Sequence, residues 1–431
     1  MARNAIESPL IGILPWGVVN HRNVLSTDVQ RASLYKSSPP SPGGVPLNPY
    51  HTHFIFVDDT SRGSKAWGSE VALRAKLEHT ISKTKQVPIV QLVAQGGPGT
   101  VATVLAAACT ATPIVILADS GGAATALHDY MTNGIDAVEK RFKSHAESMR
   151  MVSQMNQFYG GRLVKFFRLE GDSQDNANAD ICETLLEGII DMIGAPPAWQ
   201  LLKVGAELFH PQRGAGKIVE IMPDGKRKIV FADNKAALYD SESMPKFSFD
   251  VNKQEHLALE TDDKQDGALL EKALNLCVVW DMPQMVTRVL ASSKRARSVS
   301  PALGVGSLQE VRHALQRALE MQHPRVAKVI WELPGVSFAA VNMCKLYLLP
   351  DAGGMLANNK QLQTGLRLAS NLNLSGRLSH TQRFRLYRQS LDSTFRSVVP
   401  DLASLLRRST ETKAHDVFFW LAFHSNETFA R

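Results

Sequence analysis

The sequence predicts an α/β protein. A parallel sheet covered by helices comes first, then a small β-barrel, then an α-helical region. Three observations carry this. Apolar runs alternate with helical patterns from Pro9 to Met131. Short strand-like segments separated by Gly turns fill Lys203 to Phe247. From Ala268 onward the periodicity is helical. The divisions expected are residues 1–200, 203–247 and 268–431.

In the first region, "PLIGILPWGVV" (Pro9 to Val19) reads as a buried strand and a turn, and "THFIFVDD" (Thr52 to Asp59) as a second strand. "SEVALRAKLEHTIS" (Ser69 to Ser82) has apolar Val71, Leu73 and Leu77, with Glu70 and Arg74 four residues apart, a helical pattern. "VPIVQLVAQ" and "TPIVILADS" are further strands. "GTVATVLAAACTA" and "GGAATALHDYM" open helices after them. Continuous apolar strands alternating with helices imply a parallel sheet covered on both faces. "VKFFRLEGDSQDNANADICETLLEGIIDMIG" adds a strand, a polar loop and a closing helix. Asp172, Asp175 and Asp180 in that loop lack the spacing of a calcium loop and read as a turn before the helix.

The segment from Gly205 to Phe247 has turns at Gly214-Ala215-Gly216 and Asp224-Gly225. "PDG" between "KIVEIM" and "KRKIVF" marks a hairpin. Closely spaced short strands of this kind suggest an SH3-like barrel. Gln254 to Gly267 reads as a polar linker. Farther on, Ala273-Leu274 and Pro283 recur as Ala314-Leu315 and Pro324, and Val286 and Val289 as Ala327 and Ile330. A helix pair repeated at this spacing is the mark of a solenoid-like stack. "VFFWLAFHSNETFA" (Val417 to Ala430) reads as an apolar terminal helix.

Composition narrows the function. Of the 431 residues 44% are hydrophobic and 21% charged, as in globular proteins. The net charge of +7 is mild for this length. It permits an anionic ligand or partner but supplies no nucleic-acid stripe. Lys294 to Arg297 reads as a solvated linker. Cys109, Cys182, Cys277 and Cys344 are far apart, without zinc or redox spacing, and read as reduced thiols. The apolar stretch from Gly96 to Ala118 is rich in Ala and Thr and broken by Pro113, so it reads as a helix and a strand rather than a membrane span.

Gly96-Gly97-Pro98-Gly99-Thr100 follows a strand and opens a helix. Glycines there let a phosphate approach backbone N–H groups, but the same residues suit a tight turn. It is neither GxGxxG nor a Walker A loop, as no Lys follows. Ser120-Gly121-Gly122 has the same setting. Two such turns on adjacent parallel strands would meet at the carboxyl edge of the sheet, where open α/β folds bind ligands. Trp67 can stack on a base and Arg74 meet a phosphate, or they can be a core Trp and a surface Arg. His51 and His53 have no third ligand at metal spacing. No nucleophile elbow, His-Glu-x-x-His motif or Cys/His pairing emerges.

Four stretches together resemble one family in order and spacing: "IGILPWGVVNHRNVL", "HTHFIFVDDTSRGSKAWGSEVALRAKLE", "VPIVQLVAQGGPGTVATVL" and "PIVILADSGGAATAL". They are similar to the N-terminal cytoplasmic homology region of melastatin-type transient receptor potential (TRPM) channels, which has a Rossmann-like SLOG, or LSDAT, fold. "VKFFRLEGDSQDNANADICETLLEGI", the helices from Ala268 and "HDVFFWLAFHSNETFA" look like the homology regions that follow. By this resemblance the later helices are ankyrin-like repeats.

The resemblance implies a nucleotide-sensing and subunit-assembly module of a cation channel, cytoplasmic or at the cytoplasmic face of a membrane. Its implied ligand is ADP-ribose or a related nucleotide, and its implied state a homo-oligomer, tetrameric within a channel. Trp67 takes the place of the stacking aromatic and Arg74 that of a ligand-contacting arginine. Gly96, Gly97, Gly99 and Thr100 match the glycine turn, and Ser120 and Gly121 the second turn. The sequence departs from the family in several places. Gly122 stands where the family has arginine. A first strand with its own Gly-Thr loop does not precede the match, and Lys203 to Phe247 looks inserted. The six transmembrane helices and pore lie outside this sequence. The wider superfamily includes phosphoribohydrolases with a Gly-Gly-x-Gly-Thr-x-x-Glu motif; Thr103 stands where that Glu would be. Binding without catalysis is therefore expected, with a nucleotide-processing enzyme or a ligand-free scaffold as the alternatives.

Overall fold

The computed structural model describes residues 9–25, 35, 44–169, 181–247, 263–321 and 323–336. The loop holding Asp172, Asp175 and Asp180, the thiol of Cys344 and the helix expected over Val417 to Ala430 lie outside the described residues. The chain divides into two compact units, residues 1–258 and 259–431.

The first unit starts with β1 (Ile11–Pro15), a 3-10 turn at Trp16–Val18 and the short α1 (Arg22–Leu25). β2 (His53–Val57) leads through a 3-10 turn at Gly63–Ala66 to α2 (Val71–Lys85). Then come β3 (Gln91–Val93), α3 (Pro98–Cys109), β4 (Ile114–Leu117) and α4 (Gly122–Asn133). α5 (Ala146–Phe158), β5 (Val164–Phe167), α6 (Ile181–Met192) and α7 (Ala198–Leu201) complete this part.

All ladders here are parallel, as the apolar strands predict, but they form two sheets. β1 pairs with β2, and β3, β4 and β5 form a three-stranded sheet in that order. In the doubly wound order 3-2-1-4-5-6, β1 and β3 would flank the first strand. No ladder occupies that position among the described residues. β4 is the best-covered strand. Ile114 and Ile116 join the core beneath α3, α4 and α5. Val115 points the other way, 3.7 Å from where a Cβ on Gly188 of α6 would sit. By contrast α2 buries none of its residues, and Leu73 and Ile81 stay exposed.

β6 (Glu207–His210), β7 (Gly214–Ile221), β8 (Arg227–Phe231) and β9 (Ala236–Tyr239) form an antiparallel meander in sequence order. No ladder joins its first strand to its last among the described residues. Its inward residues Leu208, Ile218, Ile229 and Phe231 belong to the same buried cluster as Ile114 and Ile116. The meander therefore shares the core of the α/β part.

In the second unit, α8 (Asp263–Val279) is followed by α9 (Pro283–Ser292), and α11 (Gln309–Glu320) by α12 (Pro324–Trp331), with α10 (Lys294–Arg297) between the pairs. The repeated residues hold equivalent places: Ala273-Leu274 and Ala314-Leu315 are buried, Pro283 and Pro324 start their helices, and Val286, Val289, Ala327 and Ile330 are buried. Proline suits a first helical turn because its missing N–H would be unpaired there.

Two expectations are corrected here. Asp263 to Gly267 is the first part of α8, not linker. Lys294 to Arg297 is helical, not a free linker. Ser293 caps it by accepting from the Ala296 N–H, Asp266 accepts from the Arg295 N–H at 2.7 Å, and Arg295 pairs with largely buried Glu310 at 2.7 Å. Composition alone hid these long-range partners.

Candidate ligand-binding site

The two glycine turns meet. The N–H groups of Ala123 and Ala124, at the start of α4, donate to the carbonyls of Gly96 (2.9 Å) and Gln95 (3.0 Å). The Gln95 N–H donates to Ser120 Oγ at 2.8 Å, and Ser120 Oγ donates to the Leu117 carbonyl at 2.7 Å. Thr125 Oγ1 accepts from the Gly121 N–H at 2.9 Å and donates to the Ala118 carbonyl at 2.7 Å. The turn after β4 is thus locked onto the turn after β3. The first donors of α4 are engaged by backbone carbonyls, and the Ser120 hydroxyl is part of the lock.

The glycines divide into two kinds. Gly96 has φ +92°, and a Cβ there would collide with Thr100. Gly122 has φ +61°, and a Cβ would run into the Gly96 carbonyl. Both are demanded by packing, and this accounts for glycine at 122: a longer side chain does not fit while the turns are locked. Around Gly97 and Gly99 there is open space. No acceptor for their N–H groups is found among the described residues. Pro98, between them, sits at the start of α3. Two free N–H groups at a helix start beside open space are what an anionic oxygen needs. Thr100 donates its own N–H to the Gly97 carbonyl at 3.0 Å and closes the turn.

Trp67 follows the 3-10 turn at Gly63–Ala66 and is 53% exposed. No ring contact is found for it among the described residues, so it is not a core tryptophan. Arg74 lies one turn into α2 and pairs with Glu78 at 2.7 Å. α2 packs against α3, the helix that starts at the glycine turn. Thr103 donates its hydroxyl to the Gly99 carbonyl at 3.1 Å, back-bonding within α3.

Sequence reasoning passed over one feature. A cavity of ≈ 450 Å³ lies at the carboxyl ends of β1 and β2, lined by Gly17 to Asn23, Gly44, Arg62 and Gly63. None of the eight residues expected at the ligand lines it. Arg62 Nη1 donates to Asp58 at 2.8 Å and to the Ser61 carbonyl at 2.8 Å. Arg62, the Thr60 N–H and Arg22 together hold the Asp58 carboxyl below its ordinary value of 3.8. The sequence signal was a basic residue in the loop after each of two apolar strands, which is weak alone.

The profile of the family described as "SLOG in TRPM" matches residues 1–162. Residues 1–162 are thus similar to the N-terminal region of TRPM channels. Transient receptor potential cation channel subfamily M member 1 of Mus musculus is 32% identical over 204 residues, 41% of this chain and 12% of that protein. Subfamily M member-like 2 of Nematostella vectensis is 37% identical over 130 residues, 27% of this chain and 8% of that protein. Subfamily M member 7 of Homo sapiens is 28% identical over 279 residues, 57% of this chain and 15% of that protein. The match therefore spans a small fraction of each relative's length. Among the described residues, no helix is long and apolar enough to cross a membrane.

Proposed function

We propose that this TRPM-type region binds an ADP-ribose-like nucleotide at the carboxyl edge of its three-stranded sheet and serves as a sensing and subunit-assembly module of a cation channel, on the cytoplasmic side. The observation that carries the reading is the pair of locked turns. They leave the Gly97 and Gly99 N–H groups beside open space at the start of α3. In this reading a phosphate oxygen accepts from those N–H groups, Arg74 supplies the cation after leaving Glu78, and Trp67 offers a face for the base. Gly96, Thr100, Ser120 and Gly121 hold the turns in shape. The site holds rather than cleaves: Thr103 is no carboxylate, and its hydroxyl is committed to the Gly99 carbonyl. We also read the meander as part of an SH3-like barrel inserted at residues 203–247, and the helix pairs within 268–431 as ankyrin-like repeats, with residues 1–200 as the SLOG domain.

Calorimetric titration of the full chain with ADP-ribose tests the binding. Heat is expected for the wild type, with about tenfold weaker affinity for Arg74→Ala, the scale of one charge-assisted contact. Equal affinities, or no heat at all, would sink the nucleotide reading. Light scattering tests assembly, with a homo-oligomer expected.

A second reading, a ligand-free scaffold, is favoured by one observation: the donors of α4 are already capped by Gly96 and Gln95. It predicts an oligomer whose melting temperature no nucleotide shifts.

A further inference from the structure

We propose that the cavity at the carboxyl ends of β1 and β2 is a separate anion site that takes a phosphate- or pyrophosphate-bearing small molecule between the guanidinium groups of Arg22 and Arg62. The proposal stands independently of the nucleotide reading at the glycine turns.

Several observations build it. The cavity has room for a small polyanion, at ≈ 450 Å³. It lies beyond the carboxyl ends of two adjacent parallel strands, where the chain leaves the sheet and loops converge. Its two arginines come from different segments, Arg22 from α1 after β1 and Arg62 from the loop after β2. Gly17 joins those segments: a Cβ there would collide with the Ser61 carbonyl and the Ala66 side chain, so only glycine permits this approach. At Gly63, also on the wall, φ is +60° and nothing lies within 4 Å of a Cβ position, so the wall is open. Val18 and Val19, in the segment that carries Arg22, are nearly inaccessible, so that segment is anchored in the core.

The two guanidiniums are held differently. Arg22 Nη1 donates to the Gly17 carbonyl at 3.3 Å, a neutral acceptor, and no carboxylate pairs with Arg22 among the described residues. Its charge is felt by Asp58 but is not in a direct ion pair with it. Arg62 is oriented by Asp58, with donor distances of 2.8 and 3.4 Å. That contact holds the Asp58 carboxyl below its ordinary value. An incoming anion must share Arg62 with Asp58, so the carboxylate weakens binding while it positions the arginine. Planar guanidiniums match phosphate oxygens with paired donors, which an ammonium does not.

The test is calorimetric titration of the full chain with inorganic pyrophosphate, at low and high salt. Binding is expected, weakening as salt rises. Arg22→Gln and Arg62→Gln are each expected to lose about tenfold in affinity, and Arg22→Lys severalfold, because the charge survives but the fork does not. Asp58→Asn is expected to bind several times more tightly. In an Arg74→Ala background the losses caused by Arg22→Gln and Arg62→Gln are expected to persist, which separates this site from the one at the glycine turns. A protection experiment needs no variant: pyrophosphate should slow phenylglyoxal modification of Arg22 and Arg62, read peptide by peptide by mass spectrometry. The proposal is overturned by absence of pyrophosphate binding, by affinities unchanged in both glutamine variants, or by protection that falls on Arg74 and spares Arg22 and Arg62.

Discussion

Gly97 and Gly122 both sit in strand-to-helix turns, but only Gly122 is required by packing. Gly97 has an extended backbone, φ −107°, and open space where a side chain would go. Gly122 is left-handed and pressed against the Gly96 carbonyl. Gly122→Ala is expected to cost about 2 kcal/mol or more, the left-handed penalty plus the collision. Gly97→Ala is expected to stay within about 0.5 kcal/mol of wild type. Urea unfolding of the two variants separates these values. A Gly122→Ala variant as stable as Gly97→Ala would mean that the two turns are not locked in solution. Both glycines were legible in the sequence as turn residues. Which one faces open space and which one meets backbone was not, because the partner of Gly122 is 26 positions away in the chain.

At the scale of elements, Lys165 on β5 ties that strand to its covering helix, α6. Its Nζ lies 2.9 Å from Glu187 and 2.6 Å from Asp191, both on α6. Burial alone would lower the ammonium's affinity for its proton, but the bonds to Asp191 and Glu187 outweigh it, so its pKa rises above the ordinary 10.5. The stability this gives is fully present below pH 10.5 and is lost as pH climbs through the raised folded value. Lys165→Met is expected to cost about 1–3 kcal/mol near neutral pH, since two carboxylates are left facing each other, and to lack the alkaline loss. Denaturant midpoints of both proteins from pH 8 to 11.5 check this. Parallel curves across that range would refute it. The strands and helices themselves were readable from apolar spacing. The exposure of α2 was not: Val71, Leu73 and Leu77 mark a helix, yet no residue of that helix is buried among the described neighbours.

At the scale of the molecule, the meander and the α/β part share one core. Phe247 is fully buried; its ring lies 4.8 Å from that of Tyr239 and 6.2 Å from that of Trp199, centroid to centroid. Trp199 also packs under Arg227, whose guanidinium donates to the carbonyls of Gly225 and Leu202. Phe247→Ala is expected to cost about 3–5 kcal/mol, the range for deleting a buried aromatic ring. Because the core is shared, strand and helix signals of the first unit should fall together. Far-ultraviolet circular dichroism and tryptophan fluorescence, followed through one thermal scan, test this. A sheet that melts ahead of the helices would show the meander to be independent.

The sequence by itself determined the alternation of parallel strands and helices, the short strands and hairpin turn of residues 203–247, the paired helices at an offset of 41, and the two glycine turns. Each is written in neighbouring residues, as a period, a turn residue or a first-turn proline. The tertiary structure decided the rest. It split the parallel strands into two sheets, made Gly122 a packing glycine, turned Lys294 to Arg297 into a capped helix, and opened a cavity between Arg22 and Arg62. These outcomes depend on contacts between residues far apart in the chain, and local spacing holds no record of such contacts.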